Sequence, residues 1–139
     1  EKLLLSLAPN SPKIAPAGLM INKLKYRTIS LEDGESVNVV VGFIENNTHE
    51  TFREVLIEAL TFNDAGKRIN SIKINAASTL AKARIKSLSL DMIKELQARE
   101  SAKHFELKPG EQSEFTIALP EENLETPKYF SARIYSVKS

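Results

Sequence analysis

The sequence predicts an antiparallel all-β sandwich with one small helical insertion, and three observations lead there. Successive segments alternate apolar and polar residues with a period of two, as strands with one face in a core do. Short turns bearing glycine separate them, at Asp33-Gly34, Ala65-Gly66 and Pro109-Gly110, with no βαβ rhythm of the kind a parallel sheet needs. One stretch, "RIKSLSLDMIKELQARE" from Arg84 to Glu100, departs from this and takes a helical period.

Residues 1–18 read as an arm and linker. The leucine cluster in "EKLLLSLAP" is far shorter than the ~18–20 apolar residues that span a bilayer. It fits an arm packed on the domain, or the end of a membrane anchor cut away. The prolines of "APNSPKIAPAG", Ala8 to Gly18, exclude helix and favour extended chain.

Residues 19–139 form the sandwich domain. In "GLMINKLKYRTISL", Met20, Leu24 and Tyr26 fall on one face, with Lys23, Lys25 and Arg27 opposite. Asp33-Gly34 then closes a hairpin, because glycine accepts the positive φ of a tight turn. "SVNVVVGFIENN" places Val37, Val39, Val41 and Phe43 inward. The next strand sets Val55, Ile57, Ala59 and Thr61 on one face, and Leu56, Leu60 and Phe62 beside Glu54 and Glu58 on the other. Two part-apolar faces predict a central strand covered on its outer side. Asn63 to Lys67 is a turn, followed by a strand bearing Ile69, Ile72 and Ile74. Later, the turn Lys108-Pro109-Gly110-Glu111 precedes Phe115, Ile117 and Leu119. After the polar loop "EENLETPK", the strand Tyr129 to Val137 carries Phe130, Ala132 and Ile134 on one side. About seven strands of this kind predict an immunoglobulin-like sandwich. Its expected mutual core is Val39, Val41, Val55, Ile57, Phe115, Ile117 and Ile134.

The insertion spans about residues 79–101. Ser78 or Thr79 caps a first helix, "LAKARIKSL", and Ser89 a second, "LDMIKELQARES". Asp91 sits in the second helix's first turn, where a negative charge suits the macrodipole. Leu80, Ala83, Ile85 and Leu88 make one apolar stripe and Met92, Ile93 and Leu96 another, while Lys94, Glu95, Arg99 and Glu100 face water. Stripes this narrow lie on a sheet or across a sandwich opening.

Composition excludes several chemistries. The chain has 139 residues, the size of one domain with a core of its own. Its formal charge of +1 supplies no global field for nucleic acid or acidic membrane. With no cysteine there is no thiolate, no Cys-type zinc site and no disulfide. Tryptophan is absent as well, which weighs against sugar platforms and base stacking. The two histidines, His49 and His104, have no partners at metal-ligand spacing, and His49-Glu50 reads as an exposed turn. Nucleophile elbows and phosphate loops are missing too. Asn46-Asn47-Thr48 matches a glycosylation sequon in form only. No catalytic, cofactor-binding or metal-binding residue is therefore assigned.

The order of the pieces carries a resemblance. It rests on the strand Val40, Gly42, Ile44, Asn46, the turn Asp64-Ala65-Gly66-Lys67, the helix Leu88, Ser89, Ile93, Leu96, and Pro109-Gly110-Glu111 before Phe115. Over about Ile21 to Lys138 the chain resembles a bacterial FxLYD-like β-sandwich domain of unknown function, found C-terminal to a zinc-ribbon and a single transmembrane helix. The resemblance implies a non-catalytic interaction or structural module on the periplasmic side of the inner membrane, held by an anchor and partnered by protein. The alternative is a small-ligand or metal-binding sandwich with the insertion as a lid. On the first reading, contacts are made by a strand edge or by the helical face bearing Lys86, Lys94, Arg99 and Glu100.

Overall fold

The computed structural model describes residues 6–7, 18–78, 80, 82–99, 105–119 and 126–139. Most of the predicted arm, the end of the insertion with Glu100 and His104, and much of the polar loop before the last strand lie outside the described residues.

The elements run β1 (Ser6–Leu7), β2 (Leu19–Ser30), β3 (Ser36–Asn46), β4 (Glu54–Phe62), β5 (Arg68–Asn75), a 3-10 turn (Ala76–Ser78), α1 (Lys82–Ile85), α2 (Leu90–Ala98), β6 (Gln112–Ala118) and β7 (Tyr129–Lys138). One sheet has the order β1-β7-β4-β5 and the other β2-β3-β6. The six long strands pair antiparallel, and the two-residue β1 runs parallel beside Tyr129 and Phe130. Two antiparallel sheets with a short helical insertion are the predicted fold class. Strands β2-β3-β6 facing β7-β4-β5 follow the immunoglobulin-like strand arrangement.

The β2–β3 hairpin forms where Asp33-Gly34 is expected to close it. Gly34 has φ +95°, Leu31 N–H donates to Glu35 O at 2.8 Å, and Asp33 Oδ1 accepts from Glu35 N–H at 2.9 Å. The short aspartate side chain thus takes up a backbone donor that the turn leaves free.

The two sheets enclose Val40, Ile44, Val55, Ile57, Ala59, Ile74, Phe115, Ile117, Phe130, Ala132 and Ile134. Five members of the predicted core lie there, namely Val55, Ile57, Phe115, Ile117 and Ile134. Val39 and Val41 do not. They are buried on the opposite face of β3, with Leu31, Val37 and Ala118, under Leu80, Ile85, Leu88 and Ile93 of the insertion. β3 is therefore apolar on both faces, and its even-numbered residues point into the sandwich. Gly42 belongs to this inner row. A Cβ there would stand 2.9 Å from Phe115 Cζ and 3.2 Å from Leu24 Cδ1, so its lack of a side chain makes room for the phenyl ring.

The first face of β2 also needs correction. Leu19 and Ile21 are buried in the sandwich, Met20 is outside that cluster, and Leu24 and Tyr26 rejoin it. A bulge between Asn22 and Lys25 inserts one extra residue, with Lys23 at φ +54°. An extra residue exchanges the two faces, so the inward row passes from odd to even numbers. A second register shift, opposite Leu56 and Ile57, lets Val137 of β7 pack on the same core as Ile134.

The insertion answers for the third layer. It lies on the outer face of β2-β3-β6, not across an open end of the sandwich. Its first helix is shorter than the sequence suggests, only Lys82–Ile85. Ser89 caps α2 as expected, its Oγ accepting from Met92 N–H at 3.2 Å. Ser89→Ala should lower stability by about 1 kcal/mol, the usual worth of an N-cap, read as a shift in the denaturant midpoint at unchanged slope. In α2, Ile93 and Gln97 are buried, whereas Met92, expected in the stripe, is 49% exposed. The helix meets the sheet along the line of Ile93, Leu96 and Gln97, and Met92 falls outside it.

Candidate functional site

A functional site needs polar groups left over after folding has used its share. Those buried among the described residues are mostly taken up by structure. Asn46, at the end of β3, is fully buried. Its Nδ2 donates to Glu50 O at 2.8 Å and to Leu107 O at 2.9 Å. Its Oδ1 accepts from Thr48 N–H at 3.0 Å and from the Thr48 hydroxyl at 2.6 Å. One amide thereby fastens the turn after β3 to the segment before β6. The sequon match at Asn46-Asn47-Thr48 is this structural device, since the Asn46 side-chain nitrogen is taken up by two carbonyls, that of Leu107 in the interior.

Glu58 is the second. It stands on the outer face of β4, 2% exposed, opposite Lys73 of β5 and Arg133 of β7. Arg133 grips its Oε1 with Nε at 2.7 Å and Nη2 at 2.6 Å, and Arg68 Nη1 is 4.0 Å from Oε2. The buried carboxylate is thus held in an ion pair with the arginine. Removing one partner from such a pair is costly, while replacing both with apolar residues is near neutral. Arg133→Met is expected to destabilise by about 2–3 kcal/mol, below the ~3–5 of a fully buried pair because its guanidinium is partly solvated. The double change Glu58→Leu with Arg133→Met should recover most of that loss in urea denaturation.

Gln97 of α2 is the third. Its Nε2 donates to Ala118 O and its Oε1 accepts from Ala118 N–H, both at 2.8 Å. Sequence reasoning assigned this residue no place, because a glutamine beside an apolar stripe reads as solvent-facing. The only hint was its position four residues after Ile93, on the buried line of the helix.

Two buried oxygens lack a partner among the described atoms, Asn22 Oδ1 and Thr61 Oγ1. They lie apart, Asn22 at the β2 bulge on the three-stranded sheet and Thr61 at the end of β4 on the other. They do not converge. Among the described residues no three His, Cys, Asp or Glu side chains gather as a metal site. His49 is exposed in its turn, and His104 lies outside the described residues.

The surface carries the remaining candidates. Lys86, Lys94 and Arg99 are exposed on the insertion as expected, with Arg99 Nη2 2.8 Å from Glu95 Oε1 one turn back. Tyr135 on β7 is 50% exposed, with Lys73 Nζ 3.9 Å from its ring centre, a cation–π contact. Near the β4–β5 turn, Asp64 Oδ1 lies 2.9 Å from Lys128 Nζ, and this hydrogen bond raises the ammonium pKa above its ordinary value.

Comparison with family models, curated proteins and solved structures finds no match to this chain. Among the described residues, no helix is long and apolar enough to cross a membrane.

Proposed function

We propose that this chain is a non-catalytic interaction or structural module that works through its surface and uses no cofactor. The observation that carries this reading is how the described polar interior is spent. Asn46, Glu58 and Gln97 are each consumed in holding elements together, and the sandwich between the sheets is filled by aliphatic and aromatic side chains. A small-molecule site gathers several polar groups in an apolar pocket, and an enzyme adds a nucleophile, a base and a charge stabiliser. The resemblance read from the sequence supports a protein partner, a membrane anchor and a periplasmic position in a bacterial cell. The alternative, a ligand-binding sandwich with the insertion as lid, is disfavoured by the insertion's seat on an outer sheet face.

The contact face we favour is the solvent side of the insertion, where Met92 is exposed on the same helix as the exposed Asp91, Lys94 and Glu95. An exposed apolar side chain on a charged surface suits an interface centre with a polar rim. The test uses full-length protein carrying Lys94→Glu and Arg99→Glu. The variant should keep its melting transition and lose a partner that the unaltered protein retains in a pull-down. Retention of every partner moves the contact elsewhere on the molecule. A stoichiometric metal found by elemental analysis, and lost when His49 or His104 is replaced, sinks the non-catalytic reading in favour of the ligand-binding one.

A further inference from the structure

The outer face of the β7-β4-β5 sheet carries more positive charge than its own ion pairs use. Lys73 of β5 and Arg133 of β7 stand directly opposite Glu58 across the two ladders, so the three share that face. Arg133 binds Glu58 Oε1 from Nε and Nη2, at 2.7 and 2.6 Å. Arg68 leans toward the same carboxylate, but its Nη1 stays 4.0 Å from Oε2, beyond hydrogen-bond range. One buried carboxylate thus answers three cations. The carboxylates next along are already matched: Glu54 has Lys138 Nζ at 3.9 Å, and Asp64 at the turn has Lys128 Nζ at 2.9 Å.

The cations reach solvent, with the side chains of Arg68 and Arg133 50% and 39% exposed. Tyr135 beside them is 50% exposed at a bulge in β7. There the ladder steps from Ser136, opposite Leu56, to Ile134, opposite Ile57. Tyr135 is the extra residue, and a bulge re-aims its side chain. Lys73 crosses over β4, which lies between β5 and β7, to set its Nζ 3.9 Å from the tyrosine ring centre.

We propose that this face is a second binding surface, one that takes an acidic segment of a partner protein. This rests on the reading of the chain as an interaction module. Arg68 offers a planar fork that a carboxylate can fill with two parallel hydrogen bonds. Tyrosine and arginine are also the residues that dominate the energetic centres of protein interfaces. The excess of positive charge is local, on a chain whose formal charge is only +1. It suits a few carboxylates on a peptide better than the phosphate track of a nucleic acid, which is met by cations along its whole path. The surface lies on the other sheet from the insertion, which covers the outer face of β2-β3-β6.

The test titrates the isotope-labelled full chain with hexaglutamate and follows the amide shifts. Saturable shifts are expected at Glu58, Lys73, Arg133 and Tyr135, and not at Asp91 or Lys94 of the insertion. Arg68→Gln with Lys73→Gln should weaken binding by at least about ten-fold, the worth of one charge-assisted contact. Lys86→Gln with Lys94→Gln removes the same charge from the insertion and should change binding by less than about two-fold, because salt screens distant charges. If the first pair disturbs the fold, Tyr135→Ser leaves Glu58 and its arginines alone and should weaken binding as well. Absence of binding, shifts centred on the insertion, or equal losses from the two lysine-bearing pairs overturns the proposal. So does tighter binding of an oligothymidylate of equal charge, which would make the face a nucleic-acid site. These failures leave the insertion standing as a contact face, since its own pull-down variant keeps Arg68 and Lys73.

Discussion

Replacing Phe115 with alanine should remove ~3–5 kcal/mol of stability, the range for a fully buried phenyl ring. That is a large share of the ~5–15 kcal/mol that holds a domain of this kind together. Phe115 is 1% exposed, and its ring occupies the space that Gly42 leaves open, against Leu24. β3 and β4 cannot close on the vacancy without dragging their ladders with them. The cavity therefore persists, and the atoms lining it forgo dispersion attraction on one side, which adds to the transfer cost of the ring. Urea denaturation should show the midpoint falling at unchanged slope. A loss under ~1 kcal/mol, as at a surface position, contradicts the placement of Phe115 between the sheets.

Asn46→Ala should be the next most damaging single change, at about 2–4 kcal/mol. The amide serves Glu50 O, Leu107 O, Thr48 N–H and the Thr48 hydroxyl. Water can reach the exposed turn at Glu50, whereas the buried Leu107 carbonyl would keep only its bond from Phe52 N–H. Each hydrogen bond lost is worth about 0.5–1.5 kcal/mol, and the linkage between the β3 turn and the segment before β6 goes with them. Asn46→Asp at neutral pH should cost at least as much, since it sets a carboxylate oxygen against two carbonyls. Equal stability of Asn46→Asp and the unaltered protein in chemical denaturation would mean that the amide network does not hold the turn.

The strands and turns were legible because single-faced strands write their burial as alternation. β7 shows it plainly, with Phe130, Ala132 and Ile134 placed as expected, and β4 keeps its inward row of Val55, Ile57 and Ala59 although Glu58 and Leu60 are buried on its other face. β3 did not yield its facing. "SVNVVVGFIEN" is apolar at both parities from Val39 to Val41, and a strand buried on both sides carries no phase for periodicity to report. Choosing the odd row placed Val39 and Val41 in the sandwich, when they belong beneath the helices. The β2 bulge was invisible for another reason. Lysine rarely takes positive φ, so nothing in "INKLK" marks Lys23 as the extra residue. The insertion was legible as helix from its caps and stripe, but not as a sheet cover, since a stripe records burial without naming the partner. Gln97 is the sharpest case, a polar residue whose place is set by an edge formed some twenty residues later. No combination of residue types announced a ligand site. What the sequence read as chemically silent, the fold uses as fastenings.

The three-layer arrangement, in which β3 separates the sandwich core from a second core under the helices, is most directly tested by methyl NOEs from Val39 and Val41. NOEs to the methyl groups of Ile85, Leu88 or Ile93, with none to Val55 or Ile57, are predicted. Strong NOEs from Val39 or Val41 to Val55, Ile57 or the Phe115 ring would contradict it, because they would put β3 one residue out of register and leave the insertion without the surface it covers.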